Sequence, residues 1–376
     1  MLGRDCSAAP VLDDLPFSYH TPVARWLYFL LIAAPIAVVA DALQLPTLVV
    51  FVVSALGVLP LAGLIGKATE ELSVHIGPKY GGLLNATFGN AAELIITTLA
   101  IRQGLLELVK ASITGSIIGN SLLVLGAALL AGGIKHGIQR FSREEAGHHA
   151  TLMILAISGL LLPAVFAASV HDHWVVEEVS LLVAGVLLLT YVAYLAYSLS
   201  GADTQIEAVA GEEPPVEHHA EWTSRKALLV LAAATAATVW VSELLVRTVE
   251  PVTHALGWSE FFVGLIVVPL IGNAAEHFSA VTMAMKNRVD VTMAIAAGSS
   301  TQIALFVAPL LVFLSLLLGH PMDLVFVQFE LVVLGLTTAI FAFIGLDGSS
   351  NWLEGAQLLA LYLIVAVVFF FLPVAH

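Results

Sequence analysis

Two short motifs each place one carboxylate inside a long apolar stretch of the chain. The sequence GNAAE occurs at 89–93 and again at 272–276, so Glu93 and Glu276 each follow the same Gly-Asn pair. An ionised side chain at the centre of a bilayer costs about 2.5–3.5 kcal/mol on insertion scales, and such residues commonly mark ion or proton pathways. The matching contexts therefore predict one paired site near the membrane midplane and not two unrelated acids.

The chemistry that suits such a pair is the binding of a hard cation. Glycine followed by asparagine interrupts a regular helix, and in lipid the freed backbone groups must line a polar cavity. The carbonyl oxygens at Gly89 and Gly272 would then lie beside the two carboxylates. Asn90 and Asn273 serve either as further ligands or as caps of the helices that follow. An all-oxygen site of this kind suits Ca²⁺ better than a thiophilic metal.

Polar residues also occur at and after the two motifs. Asn120 and Gln302 are bulky and hard to hide in lipid, so each either faces the site or bonds to backbone within the helix bundle. His277 directly follows Glu276, whereas Leu94 stands at the matching position of the first copy. It is either a packed core histidine or a residue that modulates proton exchange at Glu276. Four other acids lie near the ends of apolar segments or in loops, where a solvated or interhelical structural role is expected: Glu70, Glu71, Glu243 and Glu330.

The composition is that of a polytopic membrane protein. Of the 376 residues, 59% are hydrophobic and 11% are charged, compared with about 25% charged in an ordinary soluble domain. The formal net charge of −14 argues against nucleic acid as a partner. The one cysteine, Cys6, can provide neither a disulfide framework nor a thiolate metal cluster. Residues 1–24 contain no apolar core, so they are not expected to be a signal peptide.

Apolar segments of about 20 residues, the length needed to cross a bilayer, predict eleven transmembrane helices. These spans lie at 26–43, 46–66, 81–102, 106–131, 149–170, 177–200, 226–248, 259–286, 289–318, 323–345 and 353–373. If successive loops alternate between the two sides, eleven of the 14 Lys and Arg residues fall on the side of the N-terminus. By the positive-inside rule this distribution predicts a cytoplasmic N-terminus and, with an odd number of spans, an external C-terminus.

The chain also contains an internal repeat. The motif glutamates are 183 residues apart (276 − 93 = 183), and the same offset carries Gly115-Ser116 onto Gly298-Ser299. This offset relates the second span to the seventh, five helices later. Because five is odd, the two units must have opposite orientations in the membrane. Inverted repeats are typical of secondary transporters, which bind their substrates near the midplane where the repeats meet.

The predicted organisation therefore has five parts. They are a cytoplasmic tail at 1–25, an extra transmembrane helix at 26–43, a first five-helix repeat at 44–200, an acidic cytoplasmic linker at 201–225 and a second five-helix repeat at 226–376. Between Gly201 and Glu221 the linker has six carboxylates and no Lys or Arg. It is either a solvated loop between the repeats or a segment that senses cations.

The chain resembles the Ca²⁺/H⁺ antiporters of the cation exchanger family, within the wider calcium/cation antiporter superfamily. The resemblance rests on GNAAELI at 89–95, GNAAEHFSAVTMAMKNRVD at 272–290, GSSTQIALFVAPLL at 298–311 and the acidic stretch between the repeats. It implies eleven helices in two inverted five-helix units, with Glu93 and Glu276 binding Ca²⁺ and exchanging it for protons. It also implies supporting roles for five residues: Asn90, Asn273, Ser116, Ser299 and Gln302. Ala92 is a departure, since many members have threonine at this position.

The nearest alternative function is Na⁺/Ca²⁺ exchange within the same superfamily, which would need additional Na⁺ ligands around the two glutamates. A cation channel would line a continuous pore with acids, whereas two broken and inverted helices favour alternating access. An intramembrane enzyme would need a nucleophile with a base, or a metal triad, and neither pattern lies within the spans. A transporter and not an enzyme is therefore expected.

The expected substrates are Ca²⁺ and protons, with the lipid bilayer as surroundings and no cofactor. The short loops and the lack of targeting signals fit a bacterial plasma membrane. The sequence is also compatible with a homo-oligomer.

Overall fold

The computed structural model describes residues 29–170, 172–199 and 220–372. The predicted tail at 1–25 and residues 201–219 of the predicted linker lie outside these ranges. The described chain folds almost entirely into helices, which confirms the predicted all-α membrane fold. In chain order the helices are α1 (Ala33–Ala42), α2 (Thr47–Phe88), α3 (Ala91–Arg102), α4 (Leu106–His136), α5 (Arg143–Ala167), α6 (His173–Leu199), α7 (Ser224–Leu256), α8 (Glu260–Gly272), α9 (Ala274–Met285), α10 (Val289–Leu317), α11 (Gln328–Asp347) and α12 (Trp352–Phe370).

Eight of the described helices are long and apolar enough to cross a membrane: α2 over Thr47–Gly77, α4 to α7, and α10 to α12. α8 and α9 meet at an angle of 60° and together would make a ninth crossing. α1 has 10 residues, fewer than the roughly 20 that a crossing needs, and the predicted span 26–43 begins outside the described residues. The count of eleven spans therefore stays a prediction.

The chain breaks at both GNAAE motifs. Asn90 has φ −101° and ψ 23°, and Asn273 has φ −96° and ψ 18°, so neither residue continues the helix before it. The predicted span 81–102 is consequently divided between the end of α2 and α3. Each motif glutamate lies in the first turn of a new helix, as the Gly-Asn pairs predict.

α2 is also kinked before it reaches the first motif. Gly77 has φ 84° and ψ 164°, a conformation that glycine adopts because it has no β-carbon. The kink separates the long span Thr47–Gly77 from a short helical segment, 78–88, that leads into the motif. This short segment occupies the same place before the first motif that α8 occupies before the second.

The two halves of the chain have matching helix boundaries. α3 and α9 begin and end 183 residues apart (274 − 91 = 183 and 285 − 102 = 183), and α4 and α10 begin at the same offset (289 − 106 = 183). Both long helices contain one π-helical turn, Gly119–Val124 in α4 and Ile303–Val307 in α10. Such turns often occur at functional sites.

α4 and α10 form the centre of the bundle. The most apolar stretches of these two helices are 72% and 61% buried, compared with 22% for α6, which indicates that α6 lies at the periphery.

Close helix crossings at the centre depend on glycine. A β-carbon at Gly115 of α4 would collide with the backbone of Leu265 in α8, and one at Gly264 would collide with the backbone carbonyl of Leu108. Small residues of this kind let membrane helices approach closely.

Polar contacts join the loops at each end of the bundle. At one end, strand β1 (Gln139–Arg140) pairs antiparallel with strand β2 (Ser349–Ser350), which links the α4–α5 loop to the α11–α12 loop. At the other end, Nζ of Lys110 lies 2.6 Å from Oδ1 of Asp323. The two ends of α4 are thus linked to the loops that flank α11.

Candidate cation-binding site

Glu93 is the best-connected acid of the two motifs. Its side chain is 3% exposed, and Oε1 accepts hydrogen bonds from the Ser116 hydroxyl of α4 and from Nδ2 of Asn273, the latter over 2.8 Å. Gly272 lies against the same side chain, because a β-carbon built there would be 2.8 Å from Cγ of Glu93. The second motif therefore supplies both a hydrogen-bond donor and the space for the glutamate of the first motif.

Glu276 is placed differently although its motif is the same. The 183-residue offset would give it Ser299 and Asn90 as partners, but Ser299 instead donates to Oδ1 of Asn90 over 3.2 Å. Oε2 of Glu276 is buried and has no hydrogen-bond partner among the described residues. Oε1 of Glu93 therefore accepts from two donors, whereas Oε2 of Glu276 accepts from none among the described residues.

A chain of amide and hydroxyl groups connects the two halves beside the glutamates. Nδ2 of Asn90 donates to Oε1 of Gln302 over 2.8 Å. Asn90 accepts from Ser299, and Ser299 in turn accepts from Nδ2 of Asn120 over 2.9 Å. The structure therefore brings Asn120 and Gln302 to the site, where the sequence left their orientation open. All four supporting residues outside the motifs, Ser116, Asn120, Ser299 and Gln302, take part in these contacts.

Buried oxygen atoms define what this region could bind. Within the described residues, Oε2 of Glu93, Oε2 of Glu276, Oδ1 of Asn120 and Oδ1 of Asn273 are buried without a hydrogen-bond partner. Leaving a buried polar atom unpaired costs about 1–3 kcal/mol, so such atoms need an explanation. A hard cation or a proton would satisfy them, since Ca²⁺ takes carboxylate and amide oxygens as ligands.

The remaining predicted site residues are less well connected. The backbone N–H of His277 donates to the carbonyl of Asn273 over 3.0 Å, but its imidazole makes no hydrogen bond within the described part of the chain. Gly89 lies between α2 and α3 and is half-buried. The role of the Gly89 and Gly272 carbonyls as ligands stays a prediction.

Glu330 is a buried acid that the sequence did not reveal. It is 1% exposed in the first turn of α11, so of the two expected roles, solvated or interhelical, the structure shows the interhelical one. It is bonded to Thr114 of α4, two residues before Ser116. Burial of this residue depends on the packing of α11 against α4, and no local pattern could have shown it.

No three His, Cys, Asp or Glu side chains are grouped as a metal site in the ranges that the structure describes. A cation held between the motifs would therefore depend on two carboxylates together with amide and hydroxyl oxygens.

Comparison with known proteins shows the family of this chain. The sequence model of the sodium/calcium exchanger protein family matches residues 46–200 and 226–371. The chain belongs to this family. It is 43% identical over 352 residues to the Ca²⁺/H⁺ antiporter ChaA of Bacillus subtilis, covering 92% of this chain and 99% of that protein. It is 43% identical over 362 residues to the Ca²⁺/H⁺ antiporter of Synechocystis, covering 92% and 96%.

A solved structure shows the same fold. The structure of native YfkE superposes with a TM-score of 0.81 at 40% identity, covering 92% of this chain and all of that one. The resemblance that the sequence motifs indicated is therefore confirmed for the family.

Proposed function

We propose that this protein is a Ca²⁺/H⁺ antiporter that exports Ca²⁺ in exchange for protons by alternating access, with Glu93 and Glu276 as the shared binding site. The observation that carries the proposal is the meeting of the two motifs, because Asn273 and Gly272 of the second both contact Glu93 of the first. The relatives from Bacillus subtilis and Synechocystis are named Ca²⁺/H⁺ antiporters and match along almost their whole length.

Charge balance provides the coupling between the two ions. Of the described Lys and Arg residues, none forms an ion pair with Glu93 or Glu276. Two ionised carboxylates would therefore place about two uncompensated negative charges in a low-dielectric region, which is unfavourable. One Ca²⁺ or two protons neutralise them equally well. The site changes its accessible side only when it is loaded, so Ca²⁺ moves out as protons move in.

The proposed ligands follow from the unpaired oxygens. Oε2 of Glu93 and Oε2 of Glu276 bind the ion or carry the protons, and Oδ1 of Asn273 and Oδ1 of Asn120 complete the set. Ser116 holds Oε1 of Glu93 in place. Asn90, Ser299 and Gln302 keep α3 and α10 together beside the site. His277 modulates proton exchange from its position next to Glu276.

The proposed topology has eleven crossings in two inverted five-helix units. The count is obtained when α1 is one crossing and each broken pair, 78–102 and 260–285, is another. The identical offsets of α3 with α9 and of α4 with α10 support the repeat. Loops assigned to one side are also in contact, as in the pairing of β1 with β2.

The proposed location is a bacterial plasma membrane, with a cytoplasmic N-terminus and an external C-terminus. The distribution of Lys and Arg supports the orientation, and the bacterial relatives support the type of membrane. The acidic linker is then cytoplasmic. No cofactor takes part in the exchange.

The function is tested with purified protein in liposomes that hold a preset pH gradient. Addition of Ca²⁺ should collapse the gradient in liposomes with the wild-type protein. Glu93→Gln and Glu276→Gln should each abolish the response and remain folded, because glutamine keeps the shape and loses the charge. Glu178→Gln, which changes an exposed carboxylate on α6, is the matched control. A glutamine variant at either motif that still exchanges Ca²⁺ for protons at the wild-type rate would refute the mechanism.

The same liposomes separate the neighbouring functions of this family. A Na⁺ gradient that drives Ca²⁺ uptake when a pH gradient does not would identify a Na⁺/Ca²⁺ exchanger. A single-channel conductance would identify a channel.

A further inference from the structure

Glu330 is as deeply buried as Glu93 but belongs to neither motif. It is 1% exposed, and both of its oxygens have hydrogen-bond contacts. Oε1 lies 2.5 Å from Oγ1 of Thr114, and Oε2 accepts from the backbone N–H of Val327 over 2.8 Å. Because α4 carries both Thr114 and Ser116, one helix contacts two buried carboxyl groups, Glu330 through the first and Glu93 through the second.

The Thr114 hydroxyl can serve two protonation states of Glu330. It has one hydrogen but three acceptors within reach: the carboxyl oxygen at 2.5 Å, the carbonyl of Ala111 at 3.1 Å and the carbonyl of Lys110 at 3.2 Å. When the hydroxyl donates to Glu330, the carboxylate is ionised and accepts. When it donates to a backbone carbonyl, the contact at 2.5 Å needs the proton of a neutral carboxyl. Both states therefore have a complete set of hydrogen bonds.

The charged groups near Glu330 give it no dedicated counter-ion. On α4, Lys110 lies one turn before Thr114, and Glu107 lies one turn before Lys110. Lys110 is already paired with Asp323 over 2.6 Å and lies 3.9 Å from Glu107. The segment 155–167 of α5, the helix that packs along α11, has no titratable side chain. α6 contacts this region through Ser180, which accepts from the N–H of Leu324. Glu177 and Glu178 lie three and two residues before Ser180.

We propose that Glu330 is a further proton-binding residue of the transport cycle, which takes up and releases a proton against Thr114 at the Lys110 end of α4. Its place in the cycle rests on the proposed function, whereas its proton binding does not. The hydroxyl of Thr114 reorients each time the proton binds or leaves, while Val327 keeps its bond to the other oxygen. Proton exchange at Glu330 therefore occurs without leaving a buried group unpaired.

The first experiment measures proton binding directly, by infrared difference spectroscopy of the full-length protein during a pH jump. The wild type should show a carbonyl stretch from a protonated buried carboxyl, and Glu330→Gln should lose that band. Thr114→Val should shift the frequency of the band because the hydroxyl is lost, and Thr114→Ser should restore it. If Glu330→Gln fails to fold, the comparison of Thr114→Val with Thr114→Ser still shows whether the carboxyl bonded to Thr114 carries the proton. An unchanged spectrum in these variants would show that Glu330 only caps α11.

The second experiment measures Ca²⁺-driven proton flux in liposomes across a range of pH. One titrating group changes a rate by at most about tenfold per pH unit, so the slope of log rate against pH should fall by about one in Glu330→Gln. If the slope in Glu330→Gln equals that of the wild-type protein, Glu330 has no role in the cycle. A wild-type protein with no Ca²⁺-driven proton flux would instead refute the proposed function, and the infrared result would still decide whether Glu330 binds a proton.

Discussion

Asn273 donates its side-chain amide to Oε1 of Glu93 over 2.8 Å, although the two residues are 180 positions apart in the chain. This bond joins the second motif to the first at the buried centre of the bundle. Any movement of one half against the other must stretch or break it. The same contact leaves Oδ1 of Asn273 and Oε2 of Glu93 without partners and available to an ion.

Replacement of Asn273 by alanine should weaken Ca²⁺ binding strongly. The change removes one donor to Glu93 and one free oxygen. A hydrogen bond to a charged group contributes about 1.5–3 kcal/mol, so the half-saturating Ca²⁺ concentration should rise about 10- to 100-fold. Flux measured over a Ca²⁺ titration gives this value. Asn287→Gly is the control, because Asn287 lies outside the site and has φ 63°, which glycine adopts readily. An unchanged titration for Asn273→Ala would remove this residue from the proposed ligand set.

Replacement of Gly272 by alanine should displace Glu93. The new β-carbon would be 2.8 Å from Cγ of that side chain, and overpacking of this type costs about 1–3 kcal/mol. Exchange should be lost or greatly slowed while the protein still folds. Gly185→Ala on α6 is the matched control, since a β-carbon there meets nothing within 4 Å. Flux at the wild-type rate in Gly272→Ala would show that the position of Glu93 is not critical.

Replacement of Trp222 by alanine should release the end of the acidic linker from α2. The indole ring lies 5.1 Å from Nζ of Lys67 and 4.4 Å from Nζ of Lys226. The backbone N–H of Trp222 donates to Oε2 of Glu71 over 2.9 Å, and the backbone carbonyl oxygen of Trp222 is 2.6 Å from Nε2 of His75. Each cation–π contact at an exposed site is worth about 0.5–1 kcal/mol.

Limited proteolysis is the measurement for this prediction. Cleavage between 201 and 223 should be faster in Trp222→Ala, and Trp222→Phe should restore slower cleavage because it keeps an aromatic face. Equal cleavage rates in all three proteins would show that the indole does not hold the linker.

Deletion of residues 201–219 should leave the helix bundle folded and change the Ca²⁺ dependence of transport. The reason is the excess of carboxylates with no Lys or Arg in this stretch, which would attract a divalent cation. Flux over a Ca²⁺ titration is compared between the deleted and full-length proteins. Identical curves would make the linker a simple connection between the two halves.

The orientation is tested with reporters. One fused after residue 210 should be cytoplasmic and one fused at the C-terminus should be external, because an odd number of crossings separates them. Both reporters on one side of the membrane would contradict the inverted arrangement.

Much of the site could be predicted from local sequence. The two GNAAE motifs marked the helix breaks, and the 183-residue offset aligned α3 with α9 before the structure was known. The unequal environments of Glu93 and Glu276 could not be predicted, because identical motifs carry no information about which partner each acid takes. The extent of α2 was missed, because the predicted spans 46–66 and 81–102 are separate whereas the helix runs from Thr47 to Gly77 and continues beyond the kink through 78–88.

Burial of isolated acids was the second limit of sequence reasoning. Glu330 lies in the first turn of α11, and the sequence left open whether its role there is solvated or interhelical. Its contact with Thr114 spans 216 positions, and only the packing of α11 on α4 makes it possible.

The helices of the bundle differ in length, and this has a consequence for the surrounding lipid. At about 1.5 Å per residue, α7 with 33 residues is roughly 50 Å long, whereas α12 with 19 residues is roughly 28 Å long. The hydrocarbon layer is about 30 Å thick, and mismatch costs a fraction of a kcal/mol per Å. α7 must therefore tilt or extend into the headgroups, whereas α12 is barely as long as the hydrocarbon layer is thick. α11, which carries Glu330, is nearly as short at 20 residues. In a bilayer made thicker by longer acyl chains, α11 and α12 would be the first of the long helices to be shorter than the hydrocarbon layer.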